Sequence, residues 1–548
     1  MQKLFKVNKK WLSHLLLVVV LAAALRFSYL VYNPPSLNWD EVSHGYNAYS
    51  ILKNGMDQWG QKFPIFNFRA YGDYPTTLNL YFTIPFLVIF GLTDFAVRMP
   101  HAFLGVLTVI SVYFLTFGLT KKRNVSLLAA GLAAIGPWYI FTSRFVLQSN
   151  LSVFLLTTAG ALFFNREKNK YFLPFTFFLL TLTLFSYHST RIFSPLLILG
   201  TLIFYGRSKV AVFFSLLFCV LAGVILLRPE ARVRSGLLFL VDQGAVNRII
   251  EARNTSTFPK TISRILYNRP LYFAKAFAKN YVSYFSPKFL FFRGGTQYQF
   301  SVPGWGLIYP INFPFFYIGL ILLIVRAIRD RNYRLILVWL ALAPIPASIT
   351  NESHAVVRAT TMLPIPEILI ALGFYAVLDK LKQNWKRTFI ALYFISLYAF
   401  TENYALDYFT SYRTNYSASW QYGYKEVVMY AKDNYQKFDK IIITKKYGEA
   451  HEYFLFFLQW DPSKYQNDQH AIKFFQSGWY WVDKFDKFYF MNDWQVKELK
   501  LESGGTVDCG FYKCLLISSP NNFPKDWHKL ETINFLDGKP AFEIYANN

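Results

Sequence analysis

The feature that most constrains this chain is a series of apolar runs separated by short clusters of Lys and Arg. A run of about 20 apolar residues, rising 1.5 Å per residue as a helix, matches the hydrocarbon thickness of a bilayer. In lipid every backbone N–H and C=O must be bonded internally, so such runs fold as helices. They fall near 11–32, 98–119, 124–142, 146–164, 171–188, 192–206, 210–227, 311–326, 335–350, 357–378 and 388–403. The pattern predicts an all-α polytopic membrane protein of about eleven transmembrane helices. Of the 548 residues 54% are hydrophobic and only 16% charged, where a soluble domain carries about 25% charged.

The basic clusters set the orientation. The formal charge is +25, from 57 Lys+Arg against 32 Asp+Glu. The positives sit largely between apolar runs, as topology-setting residues do, so nucleic acid is not expected as a partner. Lys3, Lys6, Lys9 and Lys10 hold the N-terminus inside, and Trp11–Tyr32, with no small-residue cleavage site, reads as an anchor. Lys121-Lys122-Arg123, Arg166–Lys170, Arg207–Lys209, Arg326–Arg334 and Lys380–Arg387 also belong inside. Counting apolar Leu78–Leu92 as a span would put Lys121–Arg123 outside. It is therefore read as an interfacial or re-entrant helix within a first outer loop, 33–97, that carries surface helices. A second outer loop, about 228–310, is polar, basic and aromatic and is expected on the membrane surface.

An odd number of spans divides the chain into a transmembrane domain, 1–403, and an extracytoplasmic soluble domain, 404–548. Strand-like Lys440–Thr444 and Cys514–Ser518, with a helical stretch at Lys425–Tyr435, predict a small α/β fold for the latter. Cys509 and Cys514 flank a Gly-containing turn; a hairpin disulfide and two reduced thiols are both open. Cys219 lies in an apolar run, facing lipid or packed.

Just past the first span stands an acidic pair, Asp40-Glu41, in Leu37-Asn38-Trp39-Asp40-Glu41-Val42-Ser43-His44. Carboxylates beside a bilayer are costly, which marks the pair as a functional site. Apolar Val42, Tyr46, Tyr49 and Leu52 recur at helical spacing, with Asp40, Ser43, His44, Asn47 and Asn54 opposite and Gly55 as a stop. This predicts an amphipathic surface helix, with Asp40 either its N-cap or a working carboxylate. Asp40 and His44, four apart, also have the spacing to chelate a metal from one helical face, and Glu41-x-x-His44 resembles half of a di-metal motif of which the sequence holds no second copy. The parity of the spans puts Arg98, Arg144, His188, Arg191, His354 and Arg358 on the same outer face. Arginine forks recognise phosphate, and a carboxylate can act as general base on a hydroxyl.

These stretches resemble the lipid-carrier-dependent glycosyltransferases of the GT-C fold, the group that holds protein O-mannosyltransferases and the aminoarabinose transferases of lipid A. The resemblance rests on Asp40-Glu41, the run Phe90–Pro100 with Arg98, Ser143-Arg144-Phe145, Tyr187–Arg191 and His354–Ala359, and covers roughly 10–400. It implies a membrane glycosyltransferase of bacterial plasma-membrane type. The enzyme would take a hexosyl or pentosyl group from a polyprenyl-phosphate-linked donor and pass it to an extracytoplasmic acceptor, whether protein, glycan or lipid. Asp40 would be the catalytic carboxylate with Glu41 assisting. Arg98, Arg191, Arg358 and Arg144 would bind the donor phosphate, with His44, Asp73, His188 and His354 as substrate contacts. No cofactor is required, and a divalent metal is compatible but not indicated. Two departures stand out. Gly72-Asp73-Tyr74-Pro75 lacks the cation many members carry before a Pro-Pro pair, leaving Lys62 or Arg69 as substitutes. Gln148 and Asn150 stand where some relatives carry a second acid. A flippase or transporter for lipid-linked sugars and a metal-dependent membrane hydrolase are the alternatives, the former disfavoured by the few charges deep within the spans.

Overall fold

The computed structural model describes residues 9–206, 208–230 and 240–547. Lys3, Lys6, Arg207 and 231–239 of the expected second outer loop lie outside them. The chain forms two compact units.

The first unit comprises Met1–Ser28, His101–Ser143 and Leu147–Ala405, and is helical. A helix occupies each expected run, including Lys9–Phe27, Arg123–Ile135, Gln148–Phe164, His188–Tyr205, Phe313–Arg329, Ile365–Lys380 and Gln383–Asp407. Among the described residues four helices are long and apolar enough to cross a membrane: Asp94–Thr120, Lys209–Leu227, Pro310–Arg329 and Gln383–Asn415. Local chemistry shortens others. The Arg123–Ile135 helix ends where Gly136 turns extended and Pro137, lacking an N–H, opens a new short helix. Glycine sets one close helix pair. A Cβ on Gly319 would lie 1.9 Å from the Leu369 carbonyl oxygen, and one on Gly373 2.0 Å from that of Phe315, the close approach that small residues permit between membrane helices. Two charged groups unremarked in the sequence are buried here. Arg26 donates to the carbonyls of Ala133 (3.0 Å) and Ala134 (2.9 Å), at the negative end of a helix. Glu367 accepts the Tyr139 hydroxyl at 2.9 Å. Cys219 is exposed on the apolar Lys209–Leu227 helix. The described part of the expected second outer loop forms the helices Gln243–Asn254, Lys260–Leu266 and Arg269–Ser283, leaving Ile250, Phe258, Ile262 and Ile265 exposed.

The second unit comprises Tyr29–Pro100, Arg144–Val146 and Leu406–Asn548. The boundary expected at 403 therefore shifts: the first loop shares a hydrophobic core with the C-terminal residues. Its seven strands are β1 (Lys440–Thr444), β2 (Ile472–Gln476), β3 (Trp479–Phe485), β4 (Phe488–Met491), β5 (Cys514–Ser518), β6 (His528–Asn534) and β7 (Pro540–Ala546), in the order β2-β3-β4-β1-β5-β7-β6. β1 runs parallel to β4 and β5, and the other pairs are antiparallel. Ile441, Ile442 and Ile443 are buried on both faces, as the unbroken apolar run of a central parallel strand requires. β2 and β3 turn through Ser477 and Gly478, both at positive φ (54° and 80°), which suits a two-residue hairpin. The helices Tyr424–Asp433, Ala450–Phe457 and Trp39–Asn54 belong with one core, around Ile441, Ile443, Phe454 and Phe488. A smaller cluster of Ile442, Met491, Leu516 and Tyr545 fills the other face. Cys509 and Cys514 are joined as a disulfide.

Candidate functional site

The second unit contains the acidic pair. Asn38, not Asp40, caps the Trp39–Asn54 helix: its Oδ1 accepts from Glu41 N at 3.0 Å, and Glu41 Oε2 accepts from Asn38 N at 3.2 Å. This reciprocal box gives side-chain acceptors to two backbone donors at the helix start. Gly55, at φ 74°, ends the helix. The expected surface helix is instead buried on nearly every side. Its polar side turns inward: His44 Nε2 meets Thr83 Oγ1 at 2.9 Å, and Asn47 Nδ2 donates to Gln58 Oε1 at 3.1 Å. Gly45 admits the Phe456 ring, which a Cβ there would meet at 2.5 Å. Asp40 alone of the pair is exposed. Among the described residues no group of three or more His, Cys, Asp or Glu side chains gathers as a metal site would need.

Glu41, one helical step of about 100° further on, points to a different side and takes up Arg98. Arg98 donates Nε to Oε1 (2.9 Å) and Nη2 to Oε2 (2.8 Å), and its remaining N–H groups go to the carbonyls of Leu30 (3.2 Å), Pro34 (2.8 Å) and Ser36. Glu41 Oε1 also accepts from Val146 N at 3.1 Å. All five Arg98 donors are engaged within the fold. Arg98 and Glu41 together fasten the chain around Asp40. Arg144 is likewise buried, donating to the carbonyls of Tyr29 (3.0 Å) and Asn33 (2.9 Å) and lying 4.9 Å from the Phe409 ring centre.

Around Asp40 stand groups the sequence did not single out. The Tyr71 hydroxyl donates to Asp40 Oδ1. Tyr71 is buried and stacks on Trp479, ring centres 5.3 Å apart and planes 25° apart. Trp479 Nε1 donates to Glu449 Oε1 at 2.6 Å. Glu449 lies 3.5 Å from His451 Nδ1, His451 Nε2 lies 3.4 Å from Glu452, and Gln58 donates to Glu452 at 2.7 Å. Burial, reinforced by the Asp40 charge, pushes the Tyr71 phenol well above its usual range, so it stays a donor. Burial also raises the Glu449 carboxyl. Asp73 sits half-buried in the turn between the bridged Asn67 and Thr76, accepting from Tyr74 N at 2.8 Å. Arg69 lies over the Tyr480 ring at 4.3 Å, and Lys62 is exposed.

The helical unit holds the other expected groups. Arg191 donates to the Leu184 carbonyl (3.0 Å) and its Nη1 lies 3.1 Å from His188 Nδ1. Arg358 pairs with Glu352, a partner not foreseen, and reaches Thr350 Oγ1 at 3.4 Å. His354 stacks on Phe289 at 5.2 Å; burial and Lys288 push its imidazole down, which favours the neutral form. Asn150, in the place of a second acid, donates to the His101 carbonyl at 2.9 Å.

Residues 16–187 match the family described as dolichyl-phosphate-mannose-protein mannosyltransferase. No protein of curated function matches the sequence. In three dimensions the chain is similar to apo ArnT from Cupriavidus metallidurans, with 12% identity, a TM-score of 0.53 and 97% of each chain covered. The chain has the GT-C fold. The same ArnT bound to undecaprenyl phosphate gives 11% identity and a TM-score of 0.49 over 98% of this chain and 97% of that one. The apo Archaeoglobus fulgidus oligosaccharyltransferase gives 15% and 0.48 over 82% of this chain, which spans 64% of that protein's length. Within this GT-C chain the stretch Gly72-Asp73-Tyr74-Pro75 supplies no cation, and the half-buried Arg69 on Tyr480 is the nearest basic residue in sequence.

Proposed function

We propose that this protein is an integral membrane glycosyltransferase that moves one sugar from a polyprenyl-phosphate donor to an extracytoplasmic acceptor. The observation that carries the proposal is Asp40: an exposed carboxylate at the head of a helix that is otherwise mostly buried, in a chain of GT-C fold. The Asp40 carboxylate orients the acceptor nucleophile and takes its proton as the nucleophile bonds to the anomeric carbon. The bond from that carbon to the phosphate oxygen breaks, and polyprenyl phosphate leaves with the electron pair. Guanidinium groups lower the barrier by meeting the charge that develops on the phosphate. Arg191 and Arg358 are the candidates for this task, and His188 and His354 for further substrate contacts. The proposal includes about eleven membrane crossings. It places the second unit outside the cytoplasm, where the Cys509–Cys514 bridge would persist, and has the C-terminal sheet help choose the acceptor. The sugar is hexosyl or pentosyl.

The test is transfer of labelled sugar from defined polyprenyl-phosphate sugars by purified protein in lipid nanodiscs. Label on a protein, glycan or lipid acceptor, lost in Asp40→Asn, is the expected result. No transfer from any donor by wild type overturns the proposal, and full activity of Asp40→Asn overturns the assignment of Asp40.

A further inference from the structure

Asp40 is exposed, yet it is tied to a buried ring. Tyr71 donates to its Oδ1, and Tyr71 is in turn held from the C-terminal sheet. Its ring stacks on Trp479 at 5.3 Å. Its carbonyl accepts from Tyr480 N at 2.6 Å. Trp39, the residue before Asp40, lies with its ring 6.2 Å from the Tyr71 ring. Trp479 and Tyr480 are the first residues of β3. Trp479 is itself fixed twice. Its indole N–H goes to Glu449, and its ring lies so close over Gly72 that a Cβ there would fall 1.9 Å from it. Stacked aromatic pairs prefer defined geometries. A continuous set of contacts therefore runs from β3 to one oxygen of the exposed acid.

We propose that the C-terminal sheet sets the catalytic carboxylate: Trp479, acting through Tyr71, holds Asp40 in the orientation that sugar transfer requires. The inference rests on the glycosyltransferase reading above and deepens it. Trp479 and Tyr71 are positioning residues, and the C-terminal residues are part of the catalytic apparatus. A hydrogen bond donated to a carboxylate favours its ionised form, so loss of the phenol raises the pH at which Asp40 titrates. The charged and titratable groups that act on Asp40 and Tyr71 include Glu449 and Glu452 from the C-terminal part and Tyr453 beside them, with Glu41 as the sequence neighbour.

The experiment uses the full chain in lipid nanodiscs, as wild type, Tyr71→Phe, Trp479→Ala and Trp479→Phe, each checked by thermal melting. Two readouts are taken: kcat and acceptor KM across pH, and the infrared carboxyl band of Asp40, identified by its loss in Asp40→Asn and titrated without substrate. Tyr71→Phe is expected to lower kcat tenfold or more at unchanged acceptor KM, to raise the Asp40 midpoint, and to move the acid limb of kcat to higher pH. Trp479→Ala is expected to act in the same direction, and Trp479→Phe, which keeps a stacking ring, to recover most of the loss. Should Trp479→Ala fail to fold, Tyr71→Phe alone decides. Wild-type kcat and an unmoved midpoint in Tyr71→Phe overturn the inference while leaving the transferase reading in place. A moved midpoint in a protein that transfers no sugar supports the hold on Asp40 and overturns the transferase reading instead.

Discussion

Arg98 and Glu41 form a buried two-point ion pair, Nε to Oε1 at 2.9 Å and Nη2 to Oε2 at 2.8 Å, both side chains at most 1% exposed. The pair joins the start of the Asp94–Thr120 helix to the cap of the Trp39–Asn54 helix, so its loss is felt at Asp40 as well as in stability. Truncating one partner of such a pair strands the other charge and costs about 3–5 kcal/mol. Arg98→Ala and Glu41→Ala should each lower the melting temperature markedly. The double variant should lose less than the sum of the two, since neither charge is then left alone. An Arg98→Ala protein of wild-type stability that only binds donor more weakly would return Arg98 to the phosphate.

Asp40 offers the opposite case. It is exposed and is not the helix cap, so Asp40→Asn should melt as wild type does. Loss of a general base typically costs about 10²–10⁴ in rate, so transfer should fall at least about 100-fold. A parallel fall in stability would mean that the residue supports the fold rather than the chemistry.

Two glycines hold the aromatic surroundings of Asp40 at contact distance. A Cβ on Gly72 would lie 1.9 Å from the Trp479 ring. One on Gly448 would lie 1.8 Å from the Trp39 ring, at a φ of 126° that side chains seldom adopt. Overpacking of this kind costs about 1–3 kcal/mol. Gly72→Ala and Gly448→Ala should lower the melting temperature, whereas Gly131→Ala, whose Cβ meets nothing within 4 Å, should not.

How far the sequence reveals this arrangement depends on the range of each interaction. Helices fill the apolar runs because each run carries its own hydrogen bonding, and β1 and β5 were legible as Lys440–Thr444 and Cys514–Ser518 because central strands are continuously apolar. The cap was legible too: Asn38-Trp39-Asp40-Glu41 has the spacing of a capping box, which makes Asn38 the better cap than Asp40. The burial of the Trp39–Asn54 helix was not, because polar Ser43, His44 and Asn47 look solvent-facing until Thr83 and Gln58 arrive to satisfy them. Nor was the pairing of Arg98, whose donors go to Glu41 and three carbonyls from distant parts of the chain. Tyr71 and Trp479 carry no local signal, since their meeting is made by the tertiary fold; only Gly72 hints that something must approach the chain there.

The Cys509–Cys514 bridge closes a short loop before β5, with Cys514 buried in the smaller core cluster. A short loop restricts the unfolded chain less than a long one, which puts the bridge near the lower end of the usual 2–4 kcal/mol, at about 2 kcal/mol. Cys509→Ser with Cys514→Ser should lower the melting temperature modestly, and added reductant should do the same to wild type but nothing further to the variant. Insensitivity of wild type to reductant, with both thiols titratable, would show that the bridge does not form.

Lys473 makes stability depend on pH in a direction that can be worked out. It lies on β2 with Nζ donating to the Tyr465 carbonyl at 2.7 Å and resting 3.6 Å from that ring's centre. Burial pushes its pKa down from 10.5 to about 8, partly opposed by Asp468. Between pH 8 and 10.5 the unfolded chain therefore binds more protons at this site than the folded one. Stability from Lys473 must rise with pH across that window. Below pH 8 both forms carry the proton and the burden of burying the ammonium is constant. Lys473→Met removes that burden, so the variant should be the more stable protein at pH 7, and its advantage should shrink steadily toward pH 10. Melting curves of both proteins at pH 7, 8, 9 and 10 check this by difference, which cancels the other lysines and tyrosines that titrate in the same range. A difference that stays constant with pH would show that the ammonium is as well solvated folded as unfolded.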